Sequence, residues 1–306
     1  MIYKIVHETE YLYGDPVSTS HHLLHLAPRA FDRQIVRAGQ LEVTPAPAVQ
    51  SERTDYFGNR CNYFELQEPH RQLTVTSRRE VEILPAPVPP PEDGGPPWEA
   101  VRDGLLAPRD AEALRAYELT LESPFARASE EALDYARPSF APGRPLLDAV
   151  ADLTHRLHQD LAYDPKATVV STPVSEVLRL RRGVCQDFAH VQLACLRAVG
   201  LGARYVSGYL VTTPPPGQPR LVGADASHAW VAVYCPLDGV GWVPFDPTND
   251  LIPDDKHITV AWGRDFGDVT PMRGVIVGGN HHELRVSVDV EPIAVETLAE
   301  SDDTSG

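Results

Sequence analysis

The chain has 306 residues, with 43 acidic against 27 basic side chains and a formal net charge of −16. Such a charge repels nucleic acid and anionic membrane surfaces, so we expect neither as a partner. The composition is ordinary for a soluble globular protein and the length predicts two domains. Neither a long apolar run nor the pattern of a secretory signal is found, and we therefore expect a cytoplasmic protein.

The first 84 residues show the alternation of apolar and polar side chains that is typical of β-strands. It is clearest in "YKIVHETEYLYG", "GQLEVTPAP" and "QLTVTSRREVEIL". The segment "DYFGNRCNYFEL", residues 55–66, reads as two strands joined at Gly58 and Asn59. These patterns predict an N-terminal antiparallel β domain over residues 1–84.

The histidines of "SHHLLH" in this domain raise the question of a metal site. His21 and His25 fall on one face of a predicted strand, too far apart to share one ion without further ligands. The cysteines are also too widely spaced for paired zinc ligands; they are Cys61, Cys185, Cys195 and Cys235. We therefore predict no metal and no cofactor.

The proline-rich segment "PAPVPPPEDGGPP", residues 85–97, predicts a linker. The apolar spacing after it is helical, and Thr172 is a predicted N-cap for one of these helices. The period then returns to two from "ARYVSGYLV" to "ELRVSVDVEP". Helices followed by strands predict an α+β core with C-terminal strands over residues 98–295, and the polar residues 296–306 predict a disordered tail.

Cys185, in "RRGVCQDFAH", lies where a predicted helix begins. Free backbone N–H groups and the positive end of the helix dipole stabilise a thiolate at that position. The N–H of Cys185 itself could donate to an oxyanion. The alternative is a buried structural thiol, because cysteine is among the most buried residue types.

A thiolate nucleophile needs a nearby imidazole and a group that orients it. His228 begins the predicted strand "SHAWVAVYC", and Asp246 ends the next strand, "GWVPFDP". If these strands form a hairpin, its two ends meet and the carboxylate faces the imidazole. His190, five residues after Cys185 on the same helix, cannot readily face it and is interpreted as a packing residue or as a residue that contacts the site from behind.

Four motifs in order, "GVCQDFAH", "ARYVSGYL", "DASHAWVAVY" and "GWVPFDPTN", resemble the transglutaminase-like superfamily of papain-type cysteine enzymes, in particular its bacterial cysteine-peptidase branch. The N-terminal segments "HETEYLYGDPVSTSHHLLHLAPR" and "DYFGNRCNYFEL" resemble the β domain that accompanies this branch. The resemblance implies a papain-like core with Cys185 as nucleophile, His228 as base and Asp246 as orienting acid. It does not determine the reaction, because the family includes hydrolases, amine transferases and non-catalytic members.

The resemblance also implies an oxyanion donor upstream of the cysteine, and Tyr163 in "LAYDP" is the candidate. The alternative for Tyr163 is an aromatic that closes the helix over 145–161 onto the core. Gln186 is a second candidate donor. Arg264 and Asp265 either line the cleft or pair with one another, and the loop over residues 212–225 is predicted to form a cleft wall or lid.

Three functions follow from this reading of the sequence. The leading hypothesis is a cysteine-dependent hydrolase of peptide or related amide bonds, acting on a peptide or protein substrate through a thioester acyl-enzyme. The second is a protein-glutamine acyltransferase that uses the same triad. The third is a non-catalytic binding or assembly module with a vestigial site. Homo-oligomerisation through the β domain or the C-terminal strands stays open.

Overall fold

The N-terminal region forms an antiparallel sheet around one long strand in the computed structural model, which describes residues 1–85, 91–212 and 226–293. Its strands are β1 (Ile2–Leu24), β2 (Gln34–Thr44), β3 (Val49–Thr54), β4 (Arg60–Leu66) and β5 (His70–Ile83). They are ordered β2–β5–β1–β4–β3. β1 pairs with β5 through its first half and with β4 through its second half, so the sheet changes partners along its central strand. The predicted antiparallel β domain is confirmed.

The hairpin β3–β4 differs from its prediction in the position of the first strand. That strand covers Val49–Thr54, and residues 55–59 form the connecting turn. The Asp55 carboxylate accepts a hydrogen bond from the Asn59 backbone N–H at 2.7 Å, and Gly58 adopts a positive φ of 77°. Because the aspartate side chain bonds to the backbone four residues on, residues 55–57 cannot continue the strand.

Between residues 98 and 269, the described part of the chain forms seven helices and six strands. The helices are α1 (Trp98–Leu105), α2 (Ala111–Glu118), α3 (Glu130–Ala136), α4 (Leu146–Asp160), α5 (Val174–Leu180), α6 (Cys185–Ala198) and α7 (Phe266–Val269). The strands are β6 (Ala162–Tyr163), β7 (Arg182–Gly183), β8 (Ala203–Leu210), β9 (Ala226–Cys235), β10 (Gly241–Phe245) and β11 (His257–Gly263). The last four form an antiparallel sheet in the order β10–β9–β8–β11. The α+β fold class is confirmed.

Helix α6 packs on this four-stranded sheet through a face of small and branched apolar residues. Ala189, Leu193 and Leu196 are fully buried and share one core cluster with Val231 and Val233 of β9. Each large buried apolar side chain stabilises the fold by about 1.5–3 kcal/mol. The packing therefore fixes the start of α6 relative to the start of β9.

The helix after Thr172 begins one residue later than the predicted N-cap requires. Its N-cap is Pro173, and its first residue is Val174. The Thr172 hydroxyl instead accepts a hydrogen bond from the Val169 backbone N–H at 2.9 Å, which closes the preceding turn. Thr172 is therefore not the N-cap, because its hydroxyl already bonds the turn that precedes the helix.

Two C-terminal strands return to the N-terminal sheet. β12 (Met272–Gly278) pairs with the second half of β1, and β13 (His282–Ile293) pairs with the first half. The sequence-based division grouped them with the core over 98–295, whereas their hydrogen bonds are with β1. The domain boundaries stay a prediction; the predicted tail over 296–306, most of the predicted loop over 212–225 and part of the linker over 85–97 lie outside the described residues.

None of the helices in the described parts of the chain has the length and hydrophobicity that crossing a membrane requires.

Candidate active site

Cys185 is the first residue of α6, and the turn before it is tightly specified. The buried Asp187 carboxylate accepts hydrogen bonds from the Val184 backbone N–H at 2.8 Å and from the Thr168 hydroxyl at 2.6 Å. A Cβ at Gly183 would lie 2.6 Å from the Asp187 Oδ2 atom, so only glycine fits there. This cap holds the helix start in place, and helix geometry leaves the Cys185 N–H without an intrahelical acceptor.

His228 and Asp246 meet at the open end of the β9–β10 hairpin. The register pairs Phe245 with Val231, so Asp246 follows directly beside the start of β9. His228 Nε2 donates to Asp246 Oδ2 at 2.7 Å. The His228 side chain is 7% exposed and that of Asp246 is fully buried. The hairpin therefore shields this hydrogen bond from water.

The electrostatics of His228 favour its protonated form. Burial lowers the pKa of the ring, but the hydrogen bonds to Asp246 and Cys185 outweigh burial and raise the His228 pKa to about 9. Because Nε2 bonds Asp246, Nδ1 is the ring nitrogen left for Cys185. An imidazolium at this position places a positive charge beside the Cys185 sulfur.

The Asp246 carboxylate receives hydrogen bonds from several directions. Burial alone would raise its pKa, but hydrogen bonds from His228 and His257 outweigh burial and hold the Asp246 pKa well below its usual range. Oδ2 accepts from His228, from the Asn249 amide at 2.7 Å and from His257 Nε2 at 3.1 Å. Oδ1 accepts from the backbone N–H groups of Thr248 at 2.9 Å and Asn249 at 3.2 Å. A buried carboxylate with this many donors stays ionised.

The two predicted oxyanion donors lie near the helix start in different ways. The short parallel pair β6–β7 aligns Tyr163 with Gly183, two residues before Cys185. Burial and the negative charge of Cys185 raise the pKa of Tyr163. Its side chain is 59% exposed, so it does not close α4 onto the core as the alternative predicted. Gln186 donates from its amide to the Val170 carbonyl at 3.2 Å, so this N–H already has an acceptor within the protein.

His257 and Asn249 are site residues that the sequence patterns did not reveal. His257 begins β11, an edge strand that is two strands away from the β9–β10 hairpin in the sheet order. Its ring stacks edge-on against Trp230 at 5.2 Å. The only sequence signal was a histidine in the apolar strand "HITVAWG", because a buried polar ring in such a strand must find a partner.

Three other residues have structural contacts. His190 is buried, its ring stacks on Phe125 at 5.7 Å, and burial lowers its pKa to about 4, as expected for a packing residue. For Arg264 and Asp265, the alternative that they pair with one another does not hold. Arg264 binds Asp268 with two hydrogen bonds of 2.9 Å, whereas buried Asp265 caps α7 and accepts from the Phe125 N–H at 2.9 Å.

Two groups of side chains among the described residues have donor atoms close enough to hold a metal ion. One is His228, Asp246 and His257, in which the Asp246 carboxylate already accepts a hydrogen bond from each histidine. The other, in the N-terminal sheet, is His25, Asp55 and Cys61.

Comparisons with known proteins agree with this architecture. The description "Bacterial transglutaminase-like N-terminal region" matches residues 3–82 and "Transglutaminase-like superfamily" matches residues 134–247. An uncharacterized protein of Mycobacterium tuberculosis is 44% identical over 302 residues, which cover 97% of this chain and 94% of the relative. An uncharacterized protein of Mycobacterium leprae is 32% identical over 296 residues, covering 95% of this chain and 99% of the relative.

Two further comparisons involve proteins with functional names. A Pseudomonas aeruginosa protein-glutamine gamma-glutamyltransferase is 32% identical over 160 residues, which cover 51% of this chain and 23% of that enzyme. A solved structure from Cytophaga hutchinsonii, provisionally named a cysteine protease, has a TM-score of 0.73 at 19% identity and covers 97% of this chain and 92% of its own. The structural likeness shows the shared fold. This chain belongs to the transglutaminase-like superfamily and carries the bacterial N-terminal region of that superfamily.

Proposed function

We propose that this protein is a cysteine-dependent hydrolase of peptide or related amide bonds. The observation that carries the proposal is one continuous chain of side chains: Cys185 beside His228, His228 hydrogen-bonded to Asp246, and Asp246 hydrogen-bonded to His257. It begins at a half-buried thiol on a helix N-terminus and ends in the protein interior. A nucleophile, a base and an orienting acid in this order are the parts that acyl transfer requires.

The geometry supports a two-step reaction. The Cys185 thiolate attacks the substrate carbonyl, and the Cys185 N–H and the Tyr163 hydroxyl donate to the oxyanion that forms. His228 then gives its Nδ1 proton to the leaving amine, which departs and leaves a thioester on Cys185. Water attacks the thioester while His228 takes back a proton, and the acid product leaves. Asp246 keeps the imidazole oriented through both steps.

Water is favoured as the acyl acceptor by the exposure of the residues beside Cys185. Tyr163 is 59% exposed, Val169 is 69% exposed and Val170 is 52% exposed. Acyl transfer to an amine requires that water be excluded from the thioester. An open rim on this side therefore favours hydrolysis of a peptide or protein substrate.

Acyl transfer to an amine is the second candidate function. It is favoured by the 32% identity over 160 residues to the Pseudomonas aeruginosa protein-glutamine gamma-glutamyltransferase. The chemistry up to the thioester is identical. The two functions differ only in whether water or an amine takes the acyl group from Cys185.

The test is a screen of glutamine-containing and mixed peptides with and without a primary alkylamine, followed by mass spectrometry of products and enzyme. Hydrolysis gives the acid product and transfer gives the amide, and both give a thioester adduct on Cys185. Cys185→Ala is expected to abolish both products and the adduct, whereas Cys235→Ala, which removes another core thiol, is expected to retain them. Product formation that survives Cys185→Ala would disprove the proposal. No product with any substrate, together with a Cys185 that shows no adduct, would support the binding-module hypothesis instead.

A further inference from the structure

His25, directly after β1, has one ring nitrogen hydrogen-bonded and the other facing an electron-rich neighbour. Its side chain is 2% exposed. Nδ1 lies 3.1 Å from the Thr270 carbonyl oxygen. Only an N–H can bond a carbonyl, so Nδ1 carries the proton and Nε2 presents its lone pair in the neutral ring.

The lone pair of His25 Nε2 faces a carboxylate. Nε2 has no hydrogen-bond partner, and the Asp55 Oδ2 atom lies 3.4 Å away. Two acceptor atoms facing each other repel, and although Asp55 Oδ2 accepts from the Asn59 amide at 2.8 Å, the buried His25 Nε2 has no donor. A proton or a cation between the two atoms would convert this repulsion into attraction.

The Cys61 sulfur supplies a third donor atom at the same place. It is fully buried, and its hydrogen bond to the Asn59 carbonyl is long, at 3.6 Å. The donor atoms of His25, Asp55 and Cys61 all lie within 4.8 Å of one another. Ligand atoms on one tetrahedral zinc ion are roughly 3.3–3.8 Å apart, as follows from zinc–nitrogen and zinc–sulfur distances of about 2.0 and 2.3 Å.

There is space beside the three donor atoms for a further ligand. A cavity of about 390 Å³ is lined by His25, Asp55 and Cys61, and on its other side by Asp268 and Arg273. A water molecule in this cavity could complete a four-coordinate ion, as it does where a protein supplies three ligands.

We propose that His25, Asp55 and Cys61 form a binding site for a divalent transition metal of the zinc class, with a water molecule as fourth ligand. Nitrogen, oxygen and sulfur donors together favour zinc or cobalt over magnesium or calcium, which prefer oxygen alone. The site shares no residue with the candidate active site, so it is independent of the proposed hydrolase function.

Metal binding at this site releases one proton. Burial raises the pKa of Cys61 to about 11, so the free cysteine is a neutral thiol. When the metal binds, a sulfur–metal bond forms, the S–H bond breaks and its proton passes to solvent. His25 contributes the Nε2 lone pair and Asp55 is already a carboxylate. The charge of Asp55 also raises the Cys61 pKa, whereas the charges of Arg53 and Arg273 lower it.

The test is a cobalt(II) titration of the full-length protein after dialysis against a chelator, in a Cys185→Ser background. This background removes sulfur from the candidate active site, so a thiolate-to-cobalt charge-transfer band can report on Cys61. We expect one equivalent of cobalt to produce the band and zinc to displace it. Absence of the band from the folded protein at excess cobalt would overturn the proposal without any further variant.

Ligand variants then locate the ion. Cys61→Ser is expected to abolish the band, and His25→Gln to weaken cobalt binding by more than about tenfold, since loss of a direct ligand costs at least as much as loss of an outer partner. His21→Gln is the matched control, because His21 lies in β1 four residues before His25 but is exposed and bonds Tyr63 at 2.7 Å. A band that survives Cys61→Ser would refute the site. So would NMR evidence, in the presence of excess zinc, that His25 is protonated on both nitrogens and paired with Asp55.

Discussion

Asp246→Asn tests whether the carboxylate, and not merely a polar group, organises the candidate active site. All five hydrogen-bond partners of the Asp246 side chain act as donors: the rings of His228 and His257, the Asn249 amide and two backbone N–H groups. An asparagine offers one accepting oxygen and one donating nitrogen in place of two oxygens. At least one buried donor therefore loses its partner, which costs about 1–3 kcal/mol of stability.

The larger effect of Asp246→Asn is on the charge of His228. Raising the His228 pKa from 6.5 to about 9 corresponds to about 3 kcal/mol in favour of the imidazolium. Both Asp246 and Cys185 raise the His228 pKa, so removing the Asp246 carboxylate is expected to reverse a large part of that rise. In a group whose pKa is raised by folding, the stabilising contribution is complete below pH 6.5 and is lost as the pH rises through 9.

The assay for Asp246→Asn is the pH dependence of kcat/KM on the peptide found in the screen, together with the rate of Cys185 alkylation. The wild-type kcat/KM is expected to fall on the alkaline side near pH 9, where His228 loses the proton that the leaving amine needs, whereas alkylation needs only the thiolate and is expected to show no such fall. In Asp246→Asn this alkaline limb is expected to move to lower pH by at least one unit, with kcat reduced by up to about 10⁴. A variant that keeps the wild-type alkaline limb would refute the argument that Asp246 holds the proton on His228.

Three further predictions follow from neighbouring contacts. His228→Ala is expected to slow iodoacetamide alkylation of Cys185 at neutral pH by at least about tenfold, because the imidazolium that favours the thiolate is lost; an unchanged rate, read by mass spectrometry, would count against an activated pair. His257→Phe keeps a ring of similar shape but removes a donor from Asp246. We expect kcat to fall by about 10–100-fold and the alkaline limb of the pH profile to shift. A loss of stability with an unchanged pH profile would indicate that His257 acts through packing alone. Gly208→Ala places a Cβ 2.1 Å from a backbone oxygen of β11, and thermal unfolding is expected to show a loss of about 2 kcal/mol or more; a stability within 0.5 kcal/mol of wild type would show that the strands separate easily.

The parts of the site that local patterns could predict are those built from neighbouring elements. A two-residue period on both sides of a short turn predicts the β9–β10 hairpin, and the hairpin alone brings His228 to Asp246. A helix start predicts free N–H groups at Cys185. In each case the residues that meet are either adjacent in sequence or related by one turn, so periodicity carries the information.

The remaining features depend on pairings between distant segments, which periodicity does not encode. The contact of His257 with Asp246 requires the order β10–β9–β8–β11, in which the last strand crosses to the far edge of the sheet. Likewise, β13 alternates like any strand, and nothing in its own pattern selects β1 as its partner. The pairing of Arg264 with Asp268, rather than with its neighbour, depends on the turn that begins α7.

The N-terminal sheet supports the candidate active site through the edge strand β11. This strand has β8 on one side only, so backbone groups on its other side need partners. The Gln34 amide supplies two of them, accepting from the Thr259 N–H at 2.8 Å and donating to the Thr259 carbonyl at 2.7 Å. The Asn59 amide does the same for Trp262, at 3.0 and 2.8 Å.

These two side chains act in the manner of a short additional strand. Gln34 begins β2 and Asn59 belongs to the β3–β4 turn, so both are placed by the N-terminal fold. β11 begins with His257, which donates to Asp246. The N-terminal region therefore reaches the candidate active site through one strand: its amides complete the edge of β11, β11 positions His257, and His257 helps to hold the carboxylate that orients His228.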